Sequence, residues 1–409
     1  MTGEGGKQAG SGRKLLRPVL WLLGWTLVVF PVARAQLAET AVANRASGKA
    51  LLFDAGHARA LASVAAAVQI KGDQQQAMTL ARAALTREPM NVTALRTLGL
   101  ALEQTGDQAG ANRIMFLAAD LGWRDVALQL WLIKAYALKN DVLSALGRAN
   151  ALARTNHLPE ITYPLFLASI TDDQLRPALA QQMADRPLWR GNFFYRVLQL
   201  PADQMPYVAK LISELAKIGS PISPQERAIY LTRLVQVGQG QAAYAYWLRE
   251  QRSAGSDAAP LSWDGGFEHV PAVNALGAPF EWRLTPESTG VAGIVPSPKQ
   301  GKQLSISPGS DYRGPLVAQT TVLQPGRYRL SARVEGDAAS TGLRWTIRCL
   351  PANHELALDT GRSGAQFGPG NFVVPAGCAA QTLAIDMTTD GDATGGNVTV
   401  DDVTIQKIG

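Results

Sequence analysis

The chain has 409 residues, 46% of them hydrophobic and 18% charged, with a formal net charge of +6 at pH 7. That apolar share is ordinary for a folded protein and sets disorder aside, while the length allows two or three domains of roughly 100–200 residues. The charge is uneven, with +4 in residues 1–35, +5 in 36–258 and −3 in 259–409. The body of the chain is close to neutral, which excludes nucleic acid as a partner because phosphate binding needs a concentrated basic surface.

Residues 1–17 are glycine-rich and polar, with Lys7, Arg13, Lys14 and Arg17 against the single acid Glu4. An uncharged run of 16 residues, Pro18 to Ala33, follows, and the segment ends in Ala33-Arg34-Ala35. A positive start, a short apolar core and an Ala-x-Ala ending are the parts of a secretory signal peptide. The run is shorter than the about 20 residues a membrane span requires, so cleavage after Ala35 is the first expectation. The alternative is an uncleaved anchor that holds the protein to a membrane through residues 18–33, with its N-terminus in the cytoplasm. Both readings predict export of the remainder to the periplasm or cell envelope.

Residues 37–252 carry helical periodicity. Gly72-Asp73 and Gly106-Asp107 stand 34 residues apart, and Asn140-Asp141 follows after another 34. Aligned on this turn, three repeats run over 58–91, 92–125 and 126–159. Their eighth position holds Ala65, Gly99 and Ile133, their twentieth Ala77, Ala111 and Ala145, and their twenty-seventh Ala84, Ala118 and Leu152. The fourth holds Leu61 and Leu95 and then breaks at Gln129. Two antiparallel helices approach closely only where one presents small side chains, with larger ones filling the gaps beside them. Gly accepts a left-handed turn, and Asp caps the helix that follows.

In this pattern the chain resembles tetratricopeptide repeats over 58–159, which implies an open solenoid with a protein partner in its groove. Carrying over the family's groove positions names Arg59, Thr93, Arg96, Glu103 and Lys134, with Ala62, Ala66, Leu100, Leu130 and Ala137 beside them. The family's peptide-carboxylate clamp of paired Lys and Asn residues has no match here, and a solvated helix face is the other reading of Arg96 and Lys134. Residues 37–57 are expected to add a helix before the repeats. Beyond Pro159 the period decays, with amphipathic segments at 172–185, 191–199 and 201–218 and a last helix pair at 225–237 and 241–251.

Residues 253–260, Ser-Ala-Gly-Ser-Asp-Ala-Ala-Pro, read as a linker, and 261–409 alternate apolar and polar residues between Gly- and Pro-rich turns. Tyr328, Leu330, Ala332 and Val334 share one phase, as do Leu343, Trp345, Ile347 and Cys349, then Leu383, Ile385 and Met387. Val398 and Val400 begin a last series that resumes at Val403 and Ile405. The predicted fold class is α + β in separate domains, an N-terminal α-solenoid followed by an antiparallel β-sandwich. Cys349 and Cys378 are the two cysteines, and in a small exported domain they read as a disulfide, with a pair of buried thiols as the alternative.

The sandwich opens with Asp264-Gly-Gly-Phe-Glu268 and closes with Val400-Asp-Asp-Val-Thr-Ile405. That bracket is similar to jelly-roll carbohydrate-binding modules, and the resemblance implies a structural calcium held by Glu268 and Asp402, with Asp401 as a substitute. Hydrogen bonding at a strand edge is the alternative role for these carboxylates, and no cofactor is otherwise required. Trp263 and Trp282 are candidates for sugar stacking or for packing. Arg327, Arg329 and Arg333 lie on the outward phase of one strand, and Arg344 and Arg348 on that of the next. If those strands are neighbours, five guanidinium groups share a face suited to an acidic polysaccharide, against the alternative of ordinary solvated surface.

No nucleophile elbow, Walker loop, zinc-protease helix or dinucleotide fingerprint is present in the sequence. The reading is a non-catalytic envelope scaffold that holds a protein partner in the solenoid and a glycan on the sandwich, in the setting of polysaccharide synthesis or export that the resemblance implies. The rivals are a polysaccharide-active enzyme with catalytic groups in 160–258 and a purely structural anchor.

Overall fold

The computed structural model describes residues 29–253, 261–270, 277–288, 290–299, 301–307, 312–336, 338, 342–360, 367–388 and 396–408. Most of the predicted export segment and residues 254–260 of the predicted linker lie outside the described residues. Among those described, no helix is long and apolar enough to cross a membrane. A helical region is followed by an antiparallel two-sheet β-sandwich, the predicted α + β fold class. By packing, the chain divides into two compact units, 1–165 and 166–409, so the later helices group with the sandwich.

In the first unit, α1 (29–43) and α2 (Ser47–Phe53) precede three helix pairs. These are α3 (Ala58–Ile70) with α4 (Gln74–Arg87), α5 (Val92–Gln104) with α6 (Gln108–Ala119), and α7 (Val126–Leu138) with α8 (Val142–Arg154). Each turn within a pair is built as its sequence dictates. Gly72 and Gly106 adopt φ of +95° and +91°, and Asn140 takes +57° in their place. After α5, the Asp107 amide donates to the Leu102 carbonyl at 2.9 Å and the Gly106 amide to Glu103 at 3.1 Å, the paired bonds that close a helix on a left-handed residue. Asp73, Asp107 and Asp141 then each accept from the backbone amide three residues on, capping α4, α6 and α8.

The predicted small positions form the seams. Ala65, Ala77, Ala84, Ala111, Ala118, Ala145 and Leu152 are all buried. α3 packs on both α4 and α5, so successive pairs stack. Gln129, where the repeat pattern breaks, is buried too, and its side chain donates to the Gly122 carbonyl at 2.9 Å in place of an apolar contact.

The division between the units falls inside α9 (Pro159–Ser169). Then come α10 (Leu175–Met183), α11 (Leu188–Val197), α12 (Met205–Lys217), α13 (Pro224–Gln236) and α14 (Gly240–Ser253). Gly219 and Gly238 repeat the left-handed helix ending at φ of +76° and +81°. On α14, Tyr244 and Trp247 meet Phe280 at ring-centroid distances of 5.1 and 5.5 Å, and Trp247 meets Trp263 edge-on at 4.9 Å. This aromatic contact ties the last helix to the sandwich.

The sandwich contains β1 (Arg283–Leu284), β2 (Ala292–Pro296), β3 (Lys302–Ile306), β4 (Gly314–Thr321) and β5 (Gly326–Glu335). It continues through β6 (Leu343–Leu350), β7 (His354–Glu355), β8 (Gly370–Val374), β9 (Ala380–Met387) and β10 (Val398–Lys407). One sheet has the order β1-β4-β9-β6-β7 and the other β2-β3-β10-β5-β8, with antiparallel pairing throughout. Core residues include Leu330, Trp345, Ile347, Leu383, Ile385 and Val400, the apolar phase read from the sequence. The slip in that phase between Val400 and Val403 is a β-bulge, where Asp402 takes φ of +52° and pairing with β5 jumps from Asp401 to Thr404. Cys349 and Cys378 form the disulfide, their Cα atoms 5.4 Å apart.

Candidate functional site

The groove candidates of the first unit lie on α3, α5 and α7, and each charged one is paired. Arg59 pairs with Glu39 at 3.5 Å, Arg96 with Asp125 at 3.1 Å and Lys134 with Glu103 at 3.5 Å. Glu103 also accepts from the Trp131 indole at 2.8 Å. Thr93 sits at the start of α5, half-buried. Of the five, Glu103 and Lys134 are brought together at a cleft of about 280 Å³ whose other walls include Gln108, Asn112, Trp131 and Leu138.

In the helices of the second unit, buried arginines dominate. The Arg190 guanidinium is 1% exposed as a residue and grips Glu226 with two parallel bonds, Nε to Oε1 at 2.8 Å and Nη2 to Oε2 at 2.9 Å. Its remaining donors reach the Met183 carbonyl at 3.0 Å and the Ser220 hydroxyl at 2.7 Å. Glu226 at the same time closes a capping box with Ser223 at the start of α13. Arg176 donates to Glu214 at 3.0 Å, to the Ile170 carbonyl at 3.0 Å and to Asp173. Burial works to lower the Arg176 pKa, but the bonds to Asp173 and Glu214 outweigh it and the net shift is upward. Arg227 pairs with Glu250 at 3.0 Å. Glu214, Glu226 and Glu250, the carboxylates of 166–253 that are not exposed, thus sit on three separate arginines.

Sequence reasoning missed these arginines, because Arg and Glu far apart in the chain read as solvated surface. The signal within reach was Ser223-Pro-Gln-Glu226, a capping-box spacing that places Glu226 at a helix start.

On the sandwich, β5 and β6 belong to different sheets, so the five arginines do not share a face. Arg327 and Arg329 are exposed on β5, while Arg333 pairs with Asp401 and with Asp402 across the bulge. Arg344 and Arg348 lie on β6 beside Glu355, at 3.3 and 3.7 Å, and Arg348 also reaches Asp386 at 2.9 Å. Trp282 is buried against Phe267 with a centroid distance of 5.2 Å. Trp263 is half-buried against Trp247 and is fixed by Gln319, whose side-chain amide donates to the Trp263 carbonyl at 2.7 Å. Both tryptophans pack within the second unit.

Of the calcium candidates, Glu268 accepts from the Lys302 amide at 2.9 Å, and the Lys302 ammonium donates to the Glu268 carbonyl at 2.8 Å. Asp402 faces Arg333 at 3.2 Å. The Glu268 carboxylate is thus held by a backbone amide and that of Asp402 by a guanidinium, and among the described residues no three His, Cys, Asp or Glu side chains come together as a metal site.

No protein-family model matches the chain, and no curated protein does. Among solved structures it is similar to the crystal structure of accessory secretory protein 1,2 and 3 in Streptococcus pneumoniae, at 10% identity and a TM-score of 0.23, covering 31% of this chain and 92% of that one. A likeness that slight carries no argument about function.

Proposed function

We propose that the protein is a non-catalytic scaffold of the cell envelope, in which tetratricopeptide-type helix pairs hold a protein partner and the sandwich holds a glycan. The observation that supports the non-catalytic reading is the fate of the three acids of 166–253 that are not exposed. Glu214, Glu226 and Glu250 are each neutralised by an arginine, whereas glycoside cleavage needs two carboxylates free to act on one bond. The cleft at Glu103 and Lys134 offers a place for a partner on the helix pairs. Export is supported by the Cys349–Cys378 disulfide, since such bonds persist in oxidising compartments.

The test is affinity electrophoresis of the full chain through gels that contain acidic or neutral polysaccharides, with an assay for new reducing ends and unsaturated uronate products in the same samples. The expected result is retardation by a polysaccharide with no product formed. Product formation favours the enzyme reading over 160–258, and the absence of retardation in every gel sinks the glycan role.

A further inference from the structure

The outer face of the β2-β3-β10-β5-β8 sheet is set by its register. Tyr328, Leu330, Phe372, Val374, Val403 and Ile405 are buried in the core between the sheets, so the residues alternating with them point outward. Arg329 on β5 stands between Gln406 on β10 and Asn371 on β8, and Arg327 stands beside Val373 on β8. These five residues are all exposed, so the face is open to solvent. The next row along the strands is Ser331 and Thr404, whose hydroxyls bond each other at 2.9 Å. Successive outward residues on a strand are about 7 Å apart, which is the Cα spacing of the two arginines. Lys407, opposite Tyr328, adds an exposed cation at the same end of the sheet.

Charge sets this face apart from the rest of the sandwich. Residues 259–409 carry a net −3, so acids are in excess. Elsewhere in the domain Arg333, Arg344 and Arg348 are paired with acids, Lys299 faces Glu335 at 3.7 Å, and Lys302 donates to the Glu268 carbonyl. Arg327 and Arg329 have no acid partner among the described residues. The acid on the Arg329 row is Asp359, whose backbone bridges Asn371. It stands two strands or about 10 Å from Arg329 and is already engaged.

We propose that this face binds an acidic glycan, an inference that rests on the reading of the sandwich as a glycan-binding module and assigns its site and ligand class. Arg327 and Arg329 offer guanidinium N–H groups to the carboxylates or sulfates of the chain, the planar recognition for which Arg is suited. The amides of Gln406 and Asn371 both donate and accept, so they meet sugar hydroxyls of either sense. Val373 gives the C–H face of a ring an apolar contact. A cleft of about 450 Å³ adjoins the face, lined by Thr404 and Gln406 with Leu261, Ser262 and Asp402, and gives the chain a path beyond the arginines. An acidic peptide fits less well: β5, which carries both arginines, is paired along both edges and leaves no strand-addition site.

The experiment is calorimetric titration of the full chain with hexagalacturonate and sulfated maltohexaose, with maltohexaose and hexaglutamate as comparisons. The variants are Arg327→Gln and Arg329→Gln, with Arg113→Gln on α6, also exposed, removing the same charge elsewhere. The wild type is expected to bind an acidic saccharide in preference to the two comparison ligands, and the two acidic arms show which anion is taken. Added salt is expected to weaken that binding, because the face is open to solvent. Each β5 variant is expected to weaken it about fivefold, and Arg113→Gln to leave it unchanged. Equal losses in all three variants, or none in either β5 variant, overturn the site while leaving the glycan reading intact. Equal binding of maltohexaose or of hexaglutamate overturns the ligand class. Failure of the wild type to bind any saccharide overturns the glycan reading itself.

Discussion

The helices of 58–159 pack as sequential pairs, whereas in 166–253 α10 packs on α12 and α11 on α13, and different chemistry holds the two sets. In the first set the seams are alanines and glycines that let helices approach, joined by Gly-Asp turns whose bonds are all local. In the second set buried or half-buried arginines hold carboxylates and carbonyls about a repeat length away in sequence, as buried Arg190 holds Glu226 and half-buried Arg233 holds the Leu200 carbonyl at 2.7 Å. The change begins in the third pair. There Arg148 is buried, donates to the Ala119 carbonyl at 2.9 Å and lies 4.2 Å from the Trp123 ring centroid. The lesson is that helices of one chain can be held by apolar seams in one region and by fixed ion pairs in the next.

Substitutions sharpen this contrast. The largest effect is expected from Arg190→Met, which strands buried Glu226 and the Ser220 hydroxyl and should cost about 3–5 kcal/mol in denaturant unfolding. In the apolar seams, Gly99→Leu should cost about 1–3 kcal/mol, because a side chain there collides with buried Met115, whose sulfur is 2.5 Å from the position a Cβ would take. Adding Met115→Ala should recover part of that loss. Asp107→Ala removes the cap of α6 and should cost about 1 kcal/mol by the same measurement.

The smallest effect concerns pH. Hydrogen bonds from Ser144, first from its side chain and then from its backbone, hold the Asp141 pKa below the usual carboxylate value. A depressed folded pKa contributes stability above the unfolded value and loses it as pH falls through the folded value. Unfolding of Asp141→Asn across that acid range should therefore show a shallower pH slope than the wild type.

What the chain revealed in advance follows the same division. Gly72, Gly106 and the aspartates after them were legible because turn and cap rules act over four or five residues. The strand phases were legible because alternation is local, and even the bulge at Asp402 left its mark as the three-residue step from Val400 to Val403. The pairing of Arg190 with Glu226 was not legible, since each looks like solvent-facing charge until the helices dock. The outward face of the β1-β4-β9-β6-β7 sheet was half legible: Arg344 and Arg348 were recognised on their outward phase. Which strands flank them depends on sheet order, and that order put Asp386 and Arg283 on their face and sent the β5 arginines to the other sheet.

The central claim is that the shielded carboxylates of 166–253 hold the helices together. A double-mutant cycle on Arg190→Met and Glu226→Leu tests it most directly, read by denaturant unfolding of the full chain. The account predicts large losses for each single variant and substantial recovery in the double variant, with a coupling of at least about 1–2 kcal/mol. Single variants as stable as the wild type, with no coupling between them, would contradict it, because a buried acid that returns no stability is the mark of a residue kept for function.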